Sequence, residues 1–260
     1  MVNKRDTQYL LLTPGPLSTT RTVREAMMQE YSTWDVGYNS IVQSIRLRLV
    51  RLAVGDKAGL DAYTAVLMPG SGTFTVESVV GSVIPPDGKL LVLNNGAYGA
   101  RITTISRMLG IDTVELGQAE TEPTDLGQVE QMLAGDPGIT HVAMVHCETT
   151  TGMLNPAEAL GKIVRRHGRE FILDAMSSFG GIPMSMESTG THYLISSANK
   201  CIQGVPGFGF VVADRTALEA TEGWARSHSL DLFDQWREME TKGGKWKFTS
   251  PTHVVSAFAA

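Results

Sequence analysis

The sequence predicts an α/β protein built on a mostly parallel, seven-stranded sheet flanked by helices. Seven short apolar runs of strand length recur along the chain: TAVLMP, KLLVLNN, TVELG, HVAMVHCE, EFILDAM, YLISSA and GFVVAD. Amphipathic stretches alternate with them, as strands joined by crossover helices require. No internal repeat, low-complexity tract or Pro/Ser-rich linker divides the chain, and 260 residues with 42% hydrophobic content suffice for one large core.

Ahead of the first strand, TTRTVREAMMQEY and SIVQSIRLRLVRLA carry apolar residues at helical spacing, with Thr and Ser at their starts as expected caps. The arginines of SIRLRLVRL fall between apolar residues, which reads as a solvated helix face. After TAVLMP, a small-residue turn leads into FTVESVVGSVI, which reads as a helix. In parallel sheets ligands collect at the carboxyl ends of the strands, so the residues directly after each apolar run are the candidates for chemistry.

Composition excludes several partners. A net charge of -5 argues against a nucleic-acid or anionic-membrane surface, because phosphate backbones demand clustered Lys and Arg. Cys147 and Cys201 are too few for a disulfide framework or a four-cysteine zinc site, no metal is indicated, and the chain suits a reducing cytoplasm. The start, MVNKRDTQYLLLTPGP, has an apolar run too short for a signal core or a membrane span.

Four strand ends carry polar or aromatic groups. Gly70-Ser71-Gly72-Thr73 stands between a strand and a helix, where free amides, the helix dipole and two hydroxyls make an anion cradle. The same residues also read as a plain helix cap, and they match neither a Walker A loop nor GxGxxG. Gly96-Ala97-Tyr98-Gly99 offers one aromatic for stacking on a flat heterocycle, or for core packing. Thr149-Thr150-Thr151-Gly152 is a hydroxyl-rich turn able to bond a ring substituent, or an ordinary turn closed by its own side chains. Asp174 ends a strand expected to be buried, where a carboxylate is costly unless it meets a cation or caps backbone amides.

Lys200 follows, between YLISSA and a glycine-rich turn. A lysine amine becomes a nucleophile when desolvated and held near an electrophile; the alternative is a solvated loop lysine. An anion site, an aromatic face, a hydroxyl donor, an acid and a lysine, in that order, match the five needs of pyridoxal phosphate.

The motifs LLTPGPLS, GSGTF, NNGAYG, HCETTTG, DAMSSFG, the KCxxGVPGFGF run from Lys200, and FTSPTHVV resemble those of the fold-type I, class V aminotransferases. The resemblance spans nearly the whole chain. It implies Lys200 as the Schiff-base lysine, Asp174 at the pyridine nitrogen, Tyr98 stacked on the ring and Met176 on its other face. It further implies Ser71, Gly72 and Thr73 at the phosphate and Thr149 near the phenolate oxygen, with Thr249 and Thr252 reaching the phosphate across a homodimer interface. Thr13, Pro14, Gly15 and Pro16 would lie by the substrate, and the motifs tilt the expected reaction towards 2-aminoethylphosphonate as amine donor and pyruvate as acceptor. Alanine:glyoxylate or serine:pyruvate transamination is the enzymatic alternative; a non-catalytic, cofactor-binding remnant is the other.

The expected organisation is an N-terminal substrate-side segment at 1–20, a cofactor-binding large domain at 21–250, and at 251–260 the start of a connection to a C-terminal small domain. Members of the family carry a substrate-gripping arginine in that small domain, which is expected to be largely missing here. Arg101, Arg226 and Arg237 match no such position. His146 reads either as a site residue or as a hydrogen-bonded core histidine, and Trp34-Asp35 as a possible shaper of the substrate entrance.

Overall fold

The computed structural model describes residues 10–55 and 59–260; residues 1–9 of the expected N-terminal segment therefore lie outside the described residues. All seven apolar runs form strands: β1 (Tyr63–Pro69), β2 (Lys89–Asn94), β3 (Asp112–Gly117), β4 (Ile139–Val145), β5 (Glu170–Asp174), β6 (Tyr193–Ser197) and β7 (Phe208–Asp214). They make one sheet in the order β1-β7-β6-β5-β4-β2-β3. The pairs from β3 through β6 are parallel, while β7 runs antiparallel to both β6 and β1. The loop between β6 and β7 contains no helix to carry the chain back across the sheet, so β7 returns in the opposite direction. β1 consequently points the same way as β6, and its carboxyl end joins those of the parallel strands.

The helices are α1 (Arg21–Ala26), α2 (Val36–Val54), α3 (Gly72–Val83), α4 (Ala97–Met108), α5 (Leu126–Gly135), α6 (Ala157–Arg166), α7 (Met186–Thr189), α8 (Arg215–Glu219), α9 (Leu232–Thr241) and α10 (Thr252–Ala259). They cover both faces of the sheet, which explains why the five inner residues of β1 and all of β6 are buried without alternation. No helix among the described residues is long and apolar enough to cross a membrane.

Three local expectations change. The first helix ends at Ala26, although Thr20 caps it as expected through its hydroxyl and the Val23 amide. The second begins at Val36, capped by Asp35, whose Oδ1 accepts from the Gly37 amide at 2.7 Å. Ser40 lies one turn inside that helix and donates to Val36 O instead of capping. Asp35 is thus a helix cap, and Trp34 is exposed beneath the Lys245 ammonium, 4.3 Å from its ring centre.

Arg46 is not on a solvated face. It is buried, and its guanidinium donates to Ala65 O (2.7 Å), to Thr64 Oγ1 (3.0 Å) and to Glu240 Oε2 (2.6 Å). The reason is the position of β1 at the sheet edge, where outward carbonyls have no neighbouring strand. Arg46 from α2 and Gln235 from α9, which donates to Leu67 O, supply the missing donors. Arg48 and Arg51 do remain exposed.

Candidate active site

A cavity of about 200 Å³ opens at the carboxyl ends of β1, β2, β5 and β6. Its first wall is the start of α3. Gly70, at φ 108°, turns the chain and donates to Gly207 O at 3.0 Å. Ser71 occupies the N-cap position, yet its hydroxyl does not cap the helix. The first amides of a helix have no intrahelical acceptor, so this end of a twelve-residue helix presents open donors and a positive dipole. A Cβ on Gly72 would come 2.7 Å from Met176 Sδ, so the start of α3 and the Met176 side chain pack closely against each other here. Ser197, at the end of β6 and 1% exposed, also lines the cavity, and its Oγ is buried without a hydrogen-bond partner among the described residues. An unpaired buried hydroxyl beside a bare helix N-terminus is the donor set that an anion answers.

Asp174 ends β5 at the cavity floor. It is 3% exposed, and its Oδ1 accepts from the Met176 amide at 2.9 Å. Burial raises its pKa to about 6; the Met176 amide opposes this, buried Glu148 adds to it, and Arg101 and Lys200 pull the other way. Lys200 stands across from it on the loop after β6. Burial lowers the pKa of its half-buried amine, although the Asp174 charge opposes that shift. Its Nζ donates to Gly15 O at 3.3 Å, so the Thr13–Pro16 loop rests on the lysine. Gly15 has φ 153°, and a Cβ there would run into Asn199 O and lie 2.5 Å from Lys200 Cδ.

Tyr98 enters from the first turn of α4, with the Arg101 guanidinium 4.6 Å from its ring centre. Arg101 also donates to Thr73 Oγ1 at 3.3 Å and lines the cavity. The other two candidate arginines are tied elsewhere: Arg226 donates to Gly81 O, Ile84 O and Pro85 O, and Arg237 pairs with Glu222 and Asp234. His146 is a hydrogen-bonded core histidine, its Nδ1 2.9 Å from Ser178 Oγ.

Ser71, Gly72, Thr73, Tyr98, Asp174, Met176 and Lys200 therefore share one cavity. Thr149 is half-buried and does not line it, and Thr150 and Thr151 close their turn by bonding Glu148 Oε1 and the Met153 amide. Thr249 and Thr252 do not line this chain's cavity; Thr249 is exposed, and Thr252 begins α10. Ser197, Asn199 and Arg101 line the cavity unassigned by the sequence reading. The strand-end rule reaches Asn199, which follows YLISSA directly, but not Ser197, which lies inside that run as the last residue of β6; Arg101 is found only through the helical turn that returns it to Tyr98.

Pyridoxal phosphate fits these groups. Its phosphate answers the unpaired Ser197 hydroxyl and the start of α3, its cationic ring nitrogen answers buried Asp174, its ring face answers Tyr98, and its carbonyl answers Lys200. Fold and site together are those of a fold-type I, pyridoxal-phosphate-dependent aminotransferase. The chain belongs to the class-V aminotransferases, whose family model matches residues 11–260. It is 61% identical over 251 residues to the 2-aminoethylphosphonate--pyruvate transaminase of Syntrophobacter fumaroxidans (strain DSM 10017 / MPOB), covering 96% of this chain and 67% of that one. It is 60% identical to the transaminase of the same name from Vibrio vulnificus (strain CMCP6), covering 68% of it. Among solved structures, pyridoxamine-pyruvate aminotransferase from Mesorhizobium loti superposes with a TM-score of 0.85 at 23% identity, over 96% of this chain and 63% of that one, a likeness of fold. The chain thus spans about two thirds of the length of these relatives.

Proposed function

We propose that this protein transfers the amino group of 2-aminoethylphosphonate to pyruvate, yielding phosphonoacetaldehyde and L-alanine, with pyridoxal phosphate as its cofactor. One observation carries the reading: Lys200 and Asp174 face one cavity, in a chain 61% identical to a transaminase of that name.

When bound, the cofactor supplies a carbonyl to carry the amino group and a cationic ring to absorb the charge left on carbon after proton loss. The chain supplies the rest. Ser71, Gly72, Thr73 and Ser197 hold the phosphate. Asp174 keeps the ring nitrogen protonated, and the cation in turn relieves the cost of the buried carboxylate. Tyr98 and Met176, which line the cavity, would flank the ring and exclude water from it, and Thr149 would serve its phenolate oxygen. Lys200 Nζ, its pKa lowered by burial, takes the proton from the amine-bearing carbon of the substrate. Gly15 O orients that amine, and the Thr13–Pro16 loop borders the substrate. Thr249 and Thr252, outside this chain's cavity, serve the cavity of a second copy in a homodimer. Two free cysteines suit the reducing cytoplasm, where we place the reaction.

The test is the visible absorbance of protein loaded with pyridoxal phosphate, before and after 2-aminoethylphosphonate, with Lys200→Ala as control. The expected result is a band that needs Lys200 and bleaches with the amine, followed by alanine once pyruvate is added. A band that ignores 2-aminoethylphosphonate but bleaches with alanine or serine moves the assignment to an alanine:glyoxylate or serine:pyruvate type. A band that bleaches with none of them makes this chain a cofactor-binding remnant.

A further inference from the structure

Glu148 is fully buried, bonded to the amide of the cavity-lining Tyr98, and it has no cation within ion-pair distance among the described residues. A carboxylate pays heavily for such a place unless hydrogen bonds compensate it. It makes two from side chain and backbone donors on different elements. Oε2 accepts from the Tyr98 amide at 3.2 Å, and Oε1 accepts from Thr150 Oγ1 at 3.1 Å.

The first bond is a helix cap supplied from a distance. The N-cap residue of α4, Gly96, has no side chain to offer, and Glu148 takes its place from fifty residues away. A negative charge suits the positive end of a twelve-residue helix, and charge strengthens the bond. Space is reserved for it, since a Cβ on Gly96 would come 2.5 Å from Glu148 Cδ. The backbone of Glu148 is itself fixed, its amide donating to Met153 O and its carbonyl accepting from the Gly152 amide at 2.7 Å. One carboxylate therefore ties the first turn of α4, which carries Tyr98, to the turn after β4, which carries Thr149 and Thr150.

We propose that Glu148 is a positioning residue for the cofactor ring: by clamping the Tyr98 end of α4 to the Thr149–Thr150 turn, it fixes the slot that receives the ring. The proposal rests on the pyridoxal-phosphate reading above. It assigns Glu148 to the ring alone, because the phosphate donors lie on α3 and β6, outside the clamp.

Equilibrium dialysis of cofactor-free protein against two ligands, pyridoxal phosphate and inorganic phosphate, separates ring from phosphate. Glu148→Gln, Thr150→Val and the double variant are compared with wild type. Glu148→Gln is expected to weaken pyridoxal phosphate about tenfold, the loss of one hydrogen bond to a charged group, and to leave phosphate affinity unchanged. The induced circular dichroism of the bound cofactor falls with it. Thr150→Val acts in the same direction, and the double variant is no worse than Glu148→Gln because both break the same clamp. Equal weakening of both ligands would show a general loss of structure and overturn the proposal. So would unchanged pyridoxal phosphate affinity, or strictly additive effects of the two changes. If wild type binds phosphate but not pyridoxal phosphate, the functional reading itself falls, an outcome distinct from variants that bind like wild type.

Discussion

At the residue scale, Asp174 shows how a site is built against stability. Its pKa is raised by burial from the ordinary carboxylate range to about 6, so the native protein holds a proton there that the unfolded chain releases sooner. Stability from this group is therefore fully present below about pH 4 and is lost as pH rises through about 6. Asp174→Asn, which mimics the protonated shape, should make the cofactor-free protein more stable at pH 7, by at most about 3 kcal/mol for a shift of this size. The gain should vanish below pH 4. Thermal unfolding across this range checks the stability, and dialysis should show pyridoxal phosphate binding weakened in the same variant. The aspartate was readable in the sequence as an acid at a strand end. Its buried neighbour Glu148 was not, because HCETTTG reads locally as a polar turn and only the approach of α4 gives its carboxylate a purpose.

At the element scale, helix packing sets the tolerances. α6 lies so close to the end of α7 that a Cβ on Gly161 would run into Thr189 O, a backbone atom that cannot move without its whole turn. Gly161→Ala should therefore destabilise the protein by roughly 2 kcal/mol, despite the better helix propensity of alanine. A denaturant midpoint lowered without a change in slope would confirm a local clash. Strand positions were readable from apolar runs, since six of the seven strands are buried along most of their length, and only β3, at the sheet edge, is half-exposed. Helix starts were less so: Asp35 and Ser40 are both capping residues, and the sequence does not say which one the chain uses.

At the scale of the whole molecule, the sheet needs its β1 edge closed. Arg46 does this from inside the protein, joined by Gln235 and balanced by Glu240, which also pairs with Arg215 at 2.9 Å. Arg46→Met fills the space but leaves Ala65 O without a donor and Glu240 with one cation fewer. The expected cost is about 3 kcal/mol, with a greater tendency to aggregate through the opened edge. Chemical denaturation and light scattering measure the two effects separately. The far end of the chain also reaches the core: Phe258 on α10 meets Phe208 edge-to-face, their ring centres 5.1 Å apart, and Val254 sits against Gly207 at the cavity wall.

The sequence by itself determined the seven strands, the turn before α3, and the placing of Tyr98, Asp174 and Lys200 at strand ends, because periodicity and turn chemistry act over a few residues. Tertiary structure alone decided the antiparallel return of β7, the burial of Arg46, the capping of α4 by Glu148 and the contact of Gly15 with Lys200. These last two join residues 50 and 185 positions apart. No local pattern records such contacts, since each depends on where two finished elements come to rest against one another.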